Sequence, residues 1–126
     1  MKKIITTQGA PAPIGPYNQA VLTGNMLFTS GQIAINPTTG ELETGEIKRE
    51  TQLVMESLKA ILAQAGMTFE NVIKATIFIS DMQNFAQINE VYGSYFNEAT
   101  APARETVEVA NLPKYVNVEI SVIAVL

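Results

Sequence analysis

Few residues of this chain can do chemistry, and the two most suggestive are Arg104 and Glu119. The sequence has no Cys and no His. That removes a catalytic thiol, an imidazole base, Ser-His and Cys-His pairs, and thiolate or histidine metal sites. Its only Asp is Asp81 and its only arginines are Arg49 and Arg104. A metal would have to be hard and oxygen-bound, and no stretch spaces carboxylates like a calcium loop. What remains is carboxylates, hydroxyls, Tyr, Lys, Arg, backbone amides and water. Residues 103–109 (ARETVEV) alternate, with Arg104, Thr106 and Glu108 on one face and Glu105, Val107 and Val109 on the other. Residues 117–125 (NVEISVIAV) do the same, with Val118, Ile120, Val122 and Ala124 apolar and Glu119 and Ser121 opposite. If the two strands form a hairpin centred near Asn111-Leu112, Arg104 lies across from Glu119 on one face. The guanidinium would then be fixed beside a carboxylate, able to grip a substrate carboxylate through two parallel hydrogen bonds. The same geometry also describes a structural cross-strand ion pair, and a one-residue slip of register would break it.

Two further segments carry usable groups. Tyr17 follows Gly15-Pro16, where its phenol either points into a cleft or packs its ring and wets its tip. Thr29-Ser30-Gly31-Gln32 ends an apolar run, and Gly31 there marks either a bulge or a close backbone approach to a ligand. Phosphate loops of the GxGxxG and GxxxxGK types are absent.

These residues need elements to hold them. Residues 8–16 (QGAPAPIGP) read as an ordered surface loop, because Pro and Gly forbid a regular helix or central strand there. Gln19–Thr23 and Met26–Ile33 read as a hairpin about Gly24-Asn25, followed by a turn at 37–40. Ile47, Thr51, Val54, Leu58, Ile61 and Ala65, widened by Met55 and Leu62, form one buried helix face. Thr44 is its candidate N-cap and Gly66 its stop. Residues 71–80 predict a strand with Ile73, Ala75, Ile77 and Ile79 on one face and Lys74 and Thr76 on the other. Asp81 is a candidate cap for a second helix bearing Phe85, Ile88, Tyr92 and Tyr95, with Gly93 inside it. The order β-β-β-α-β-α-β-β predicts an α+β layer fold, a mixed sheet with both helices on one face. The other face needs a cover, and a partner subunit in a closed symmetric assembly is the natural one.

A length of 126 residues predicts one domain over 1–126, large enough to bury a core without disulfide or metal. With 47% hydrophobic and 16% charged residues, disorder is not expected. A net charge of −4 offers no basic footprint for nucleic acid. No apolar run approaches a membrane span, and the start is too weakly apolar for a signal peptide. A soluble, cytoplasmic protein is the expectation.

Four segments together resemble the RidA/YjgF family of small enamine/imine deaminases: APAPIGPYNQAV, FTSGQIAINPTTGEL, NVIKATIFISDMQNFAQINEVYGSYF and APARETVEVANLPKYVNVEISVIAVL. They span nearly the whole chain in the family's order and spacing. The resemblance implies a chorismate-mutase-like α+β subunit in a homotrimer with a central barrel-like core and three clefts between subunits. It implies that Arg104 grips the substrate carboxylate, that Tyr17 helps to orient the substrate, and that Glu119 holds or polarises the attacking water. It also implies that the chain around Ser30, Gly31 and Thr106 lines the pocket, with Asn89 matching in a structural role. The implied substrates are 2-aminoacrylate-type enamines and their imines, such as 2-iminopropanoate and 2-iminobutanoate. Pyridoxal-phosphate-dependent dehydratases acting on serine and threonine release them, and hydrolysis gives a 2-oxo acid and ammonia. No cofactor or metal is implied. Two positions depart from the family: many members carry Cys where this chain has Thr106, and Glu105 replaces a residue that is often small. Alternation turns Glu105 away from Arg104; folded back onto the guanidinium, it would compete with substrate.

Two other readings stand beside the deaminase. One is a trimer that binds a small carboxylate metabolite through the same Arg104 pocket without turning it over. The other is RNA cleavage or translation inhibition, attributed to some members of the family, against which the net charge argues.

Overall fold

The computed structural model describes residues 1–126. Six strands, β1 (Lys2–Ile5), β2 (Ala20–Thr23), β3 (Met26–Thr29), β4 (Val72–Ile79), β5 (Ala103–Glu108) and β6 (Val118–Val125), form one sheet in the order β1-β2-β3-β6-β4-β5. Helix α1 (Ile47–Gln64) precedes β4, and α2 (Phe85–Gly93) crosses from β4 to β5. All pairings are antiparallel except β4–β5. That exception follows from the α2 crossover, since two strands joined through a helix can lie side by side in parallel. The chain is thus a mixed sheet with two helices, as its strand and helix periodicities predict.

The strand neighbours correct one expectation. β5 and β6 do not form a hairpin, because β4 lies between them. Burial explains the order. β6 buries every second side chain and half-buries the rest, which suits a central position. β5 carries charges on both faces and stays largely exposed, which suits an edge.

Alternation decides what each face does. Ala75, Ile77 and Ile79 of β4 and Val118, Ile120, Val122 and Ala124 of β6 face the helices in a core of 22 buried residues, together with Leu27. Val54, Leu58, Ile61 and Leu62 of α1 and Ile88 and Tyr92 of α2 are among the side chains that pack against them. The opposite face is open. A row Ile4–Val21–Phe28–Ile123–Lys74 runs across it in register. Ile4 and Phe28 remain 41% exposed and Val107 44%.

Local chemistry shifts several boundaries. The N-cap of α1 is Glu46, not Thr44: its carboxylate accepts from Lys48 N at 3.2 Å and complements the helix N-terminus. Gly66, at φ 75°, ends α1 just beyond the last helical turn. Ile73 does not join the core-facing row. A bulge between Val72 and Lys74 turns Val72 inward and leaves Ile73 49% exposed. Asp81 caps a single 3-10 turn, Met82–Asn84, that leads into α2. Gly93 is the last residue of α2 rather than an interior one, and Tyr95 lies past it, donating to Glu56 at 2.7 Å.

Candidate active site

β3 stops at Thr29, short of Ile33, because a side chain takes over from the backbone ladder. The Thr29 hydroxyl accepts from Val122 N at 2.9 Å and donates to Val122 O at 3.4 Å. Pairing with β6 resumes at Gln32, which exchanges two backbone hydrogen bonds with Ile120, at 2.8 and 3.2 Å. Ser30 and Gly31 therefore lie outside the β3–β6 ladder. Ser30 is tied back by its N–H to Gln19 O at 2.9 Å and by its hydroxyl to Asn18 O at 2.5 Å.

Gly31 sits where Glu119 needs room. A Cβ on Gly31 would lie 2.5 Å from Glu119 Oε2, and 2.6 and 2.8 Å from the next two carbons of that side chain. The close approach at this glycine is thus to Glu119 itself. No protein group donates to the Glu119 carboxylate, and burial pushes its pKa above the ordinary glutamate range. The cavity alongside has a volume of about 540 Å³. Tyr17, Gln19, Ser30, Gly31, Gln32, Pro113, Lys114 and Glu119 line it, with Ile14, Ile33 and Ile35 among its apolar walls.

The N-terminal loop is held over this cavity by a residue whose part the sequence pattern hides. Gln19 is 3% exposed. Its amide donates to the carbonyls of Thr7, Ala10 and Pro11 at 3.0, 3.1 and 2.9 Å, and its oxygen accepts from Thr7 N at 2.7 Å. Tyr17 stays 48% exposed, with its hydroxyl accepting from Ile14 N at 3.2 Å. Pro113 and Lys114, on the far wall, also carry no signal in hydropathy. Lys114 and Tyr115 both have φ of 55°, a left-handed conformation that costs a residue with a side chain roughly 1 kcal/mol or more.

Arg104 lies elsewhere. It is aligned with Ala75, so it points to the helix side of the edge strand β5. Glu119 is aligned with Phe78 and points to the open side. Within the chain the two expected partners are on opposite faces of the sheet, with β4 between their strands. The Arg104 guanidinium donates from Nη1 to Asn89 Oδ1 at 2.6 Å. It also stacks on two rings, 5.1 Å from the centroid of Tyr92 and 5.6 Å from that of Phe85. No carboxylate lies within ion-pair distance of it. Thr106 shares its face, and the Thr106 hydroxyl is buried without a hydrogen-bond partner. Glu105 turns the other way and pairs with Lys74 at 3.0 Å, so it leaves the guanidinium free.

The chain thus presents two separate groups of candidate site residues, one on each side of the sheet. One gathers Tyr17, Ser30, Gly31 and Glu119 around a cavity; the other sets Arg104 and Thr106 of β5 side by side, the guanidinium packed against α2. The first could hold water on a carboxylate, and the second could bind an anion. No cluster of three or more His, Cys, Asp or Glu residues is arranged to hold a metal ion. No helix is long and apolar enough to cross a membrane.

Comparison with known proteins agrees with the residue motifs. A RutC family protein of Pyrococcus horikoshii is 53% identical over 124 residues, covering 98% of each chain. The 2-iminobutanoate/2-iminopropanoate deaminase of Escherichia coli is 46% identical over 127 residues, covering 99% of this chain and 98% of that one. The crystal structure of E. coli TdcF with bound serine matches with a TM-score of 0.92 at 49% identity, over 98% of each chain. The model of the family described as Endoribonuclease L-PSP matches residues 7–126. The chain therefore belongs to that family, the one that includes the RidA/YjgF reactive-intermediate deaminases its motifs resemble.

Proposed function

We propose that the protein hydrolyses reactive 2-imino acids to 2-oxo acids and ammonia, without cofactor or metal, at sites completed between copies of a homotrimer. The observation that carries this reading is the Glu119 carboxylate, half-buried in a cavity wall with no protein donor. Such a group is free to hold a water, and burial makes it a better base near neutral pH. Arg104 complements it, a guanidinium steadied by Asn89 and two rings with no carboxylate in reach. Because one protomer turns the two to opposite faces, the Arg104 that serves a given Glu119 comes from a neighbouring copy. The open sheet face with its exposed Phe28 and Val107 supports such packing.

In this reading the substrate carboxylate docks on Arg104 and its imine carbon faces the water on Glu119. The water oxygen bonds to that carbon as Glu119 takes a proton. The C=N bond becomes a C–N bond, the nitrogen is protonated, and collapse to the ketone expels ammonia. One water is consumed, and one 2-oxo acid and one ammonia are formed. An imine beside a carboxylate is already electrophilic, so orientation supplies most of the rate. The Tyr17 phenol orients the substrate, and the backbone at Ser30 and Gly31 and the Thr106 hydroxyl line its pocket. The serine held by E. coli TdcF is an amino acid of the size this cavity suits. The substrates we favour are 2-iminopropanoate and 2-iminobutanoate, including those formed from 2-aminoacrylate-type enamines. An RNA substrate is disfavoured, since Lys114 is the single basic residue lining the cavity.

The test generates these two imines in situ with an amino acid oxidase and traps them with semicarbazide. Wild type should suppress semicarbazone formation and Arg104→Ala should not. Unchanged trapping with a folded wild-type trimer would overturn the deaminase reading and favour a trimer that binds a small carboxylate without turning it over.

A further inference from the structure

Glu50 is the only charged side chain among the buried residues, with 0% of its surface exposed. It sits in the first turn of α1. No Lys or Arg lies within ion-pair distance of it. A buried carboxylate without a counter-ion is costly. The helix does not require it, since an apolar residue would serve that face of α1. Its three hydrogen bonds all go to one short stretch 67 to 68 residues away. Oε2 accepts from the N–H of Asn117 at 2.8 Å and of Val118 at 3.3 Å, and Oε1 accepts from Asn117 Nδ2 at 2.8 Å.

That stretch is the junction between two parts of the site. Before it stand Lys114 and Tyr115, both left-handed, with Pro113 and Lys114 in the cavity wall. After it stands Glu119. Asn117 is also pinned from the other side, its carbonyl accepting from Ser80 N at 3.1 Å and its side-chain oxygen from the Ser80 hydroxyl at 3.4 Å. Charge-assisted bonds to main-chain N–H groups are the strong kind. Strained backbone persists only where its surroundings over-determine it.

We propose that Glu50 is a positioning residue for Glu119: its buried carboxylate fixes the main chain at Asn117 and Val118, and through it the wall of Pro113 and Lys114 and the seat of the Glu119 carboxylate against Gly31. The inference rests on the reading of Glu119 as the water-holding group. The other titratable groups lining that cavity are Tyr17 and Lys114.

The imine-trapping assay tests it with Glu50→Leu, which keeps the bulk and loses both acceptors, and Glu50→Gln, which keeps one acceptor oxygen for the two backbone donors. In folded Glu50→Leu, kcat should fall about tenfold or more while KM moves less than about threefold, since a small misplacement of a reacting group costs rate. The acid limb of kcat/KM should also move, and Glu50→Gln should restore kcat to within about threefold of wild type. A folded Glu50→Leu with wild-type kcat and acid limb, changed only in melting temperature, would reduce Glu50 to a structural residue and overturn the proposal. If Glu50→Leu does not fold, Asn117→Ala removes one donor and one Ser80 contact. It should then lower kcat and move the acid limb in the same sense, and no change in either overturns the proposal. Carbon-13 NMR titration of the Glu119 carboxyl separates this result from the functional reading. Should wild type prove inactive on imines, that reading fails, yet a Glu119 titration displaced in Glu50→Leu still supports the positioning role, and an identical one rejects it.

Discussion

The surroundings of Glu119 and of Arg104 are built in opposite ways. The Glu119 side is made by subtraction: the ladder is interrupted at Thr29, the side chain is missing at Gly31, and the carboxylate is left without a donor. The Arg104 side is made by addition, with one amide and two aromatic rings from a single helix gathered around one guanidinium. A group meant to hold water needs free hydrogen-bonding capacity and space. A group meant to hold an anion needs a fixed direction, which packing supplies. On the proposed reading, the contrast is how a chain this poor in reactive residues would assemble a hydrolytic site.

The comparison breaks most sharply at the two charged groups. Arg104→Ala and Glu119→Gln are each expected to lower kcat/KM by about a hundredfold or more in the trapping assay. Mixing the two inactive variants under conditions that exchange subunits should restore a fraction of wild-type activity. Exchange proved by mass spectrometry with no recovery would mean that Arg104 and Glu119 do not meet between copies. Next in size is Gly31→Ala. The atoms that its Cβ would strike belong to the movable end of Glu119, so the fold should survive with a melting temperature near wild type. The carboxylate is displaced, and kcat should fall by about one to two orders of magnitude. Retention of full activity would refute the seat of Glu119 described above.

Proton binding sharpens the same contrast. Burial raises the Glu119 pKa in the folded protein, and the reading requires its ionised form. The kcat/KM profile should therefore lose activity on acidification at a pH above that of an unburied glutamate, and Glu119→Gln should abolish that limb. The stability effect has the opposite sign. A carboxylate whose folded pKa is raised disfavours the folded state once ionised, so its cost appears as pH rises through the folded pKa. Glu119→Gln should melt slightly above wild type at pH 7, and calorimetry should find the difference shrinking as wild type becomes protonated. Smallest of all is the Lys74–Glu105 pair on the open side of β5. Its removal by Glu105→Ala should change protomer stability by less than about 1 kcal/mol in denaturant unfolding and leave KM unchanged. A large fall in KM would mean that Glu105 reaches Arg104 after all.

Much of this was legible in residue patterns. The stripe on α1 and the alternation in β5 and β6 identify which side chains share a face. The motifs around Tyr17, Ser30-Gly31 and Glu119 mark a set that the fold brings around one cavity. The failures have physical causes. The face on which a residue lies does not say which strand is its neighbour, so Arg104 and Glu119 looked like cross-strand partners when β4 separates them. A bulge such as that at Ile73 leaves no mark in hydropathy, because the displaced residue is as apolar as its neighbours. Gln19 and Glu50 were invisible for a different reason: they bond chiefly to backbone atoms, which every residue has, and no spacing rule points to them.

The edge position of β5 ties the guanidinium to a reporter of its own. Val109 N donates to Ile79 O at 2.9 Å. By the alternation of a strand, the amides of Arg104, Thr106 and Glu108 then point outward, away from β4. In a lone protomer these are amides with no ladder partner, poised for rapid hydrogen exchange. Anything that covers them, a neighbouring copy or a bound anion, will slow that exchange on the strand that holds Arg104. The strand that carries Arg104 thus lets assembly and occupancy be followed amide by amide, without a chromophore, a label or turnover.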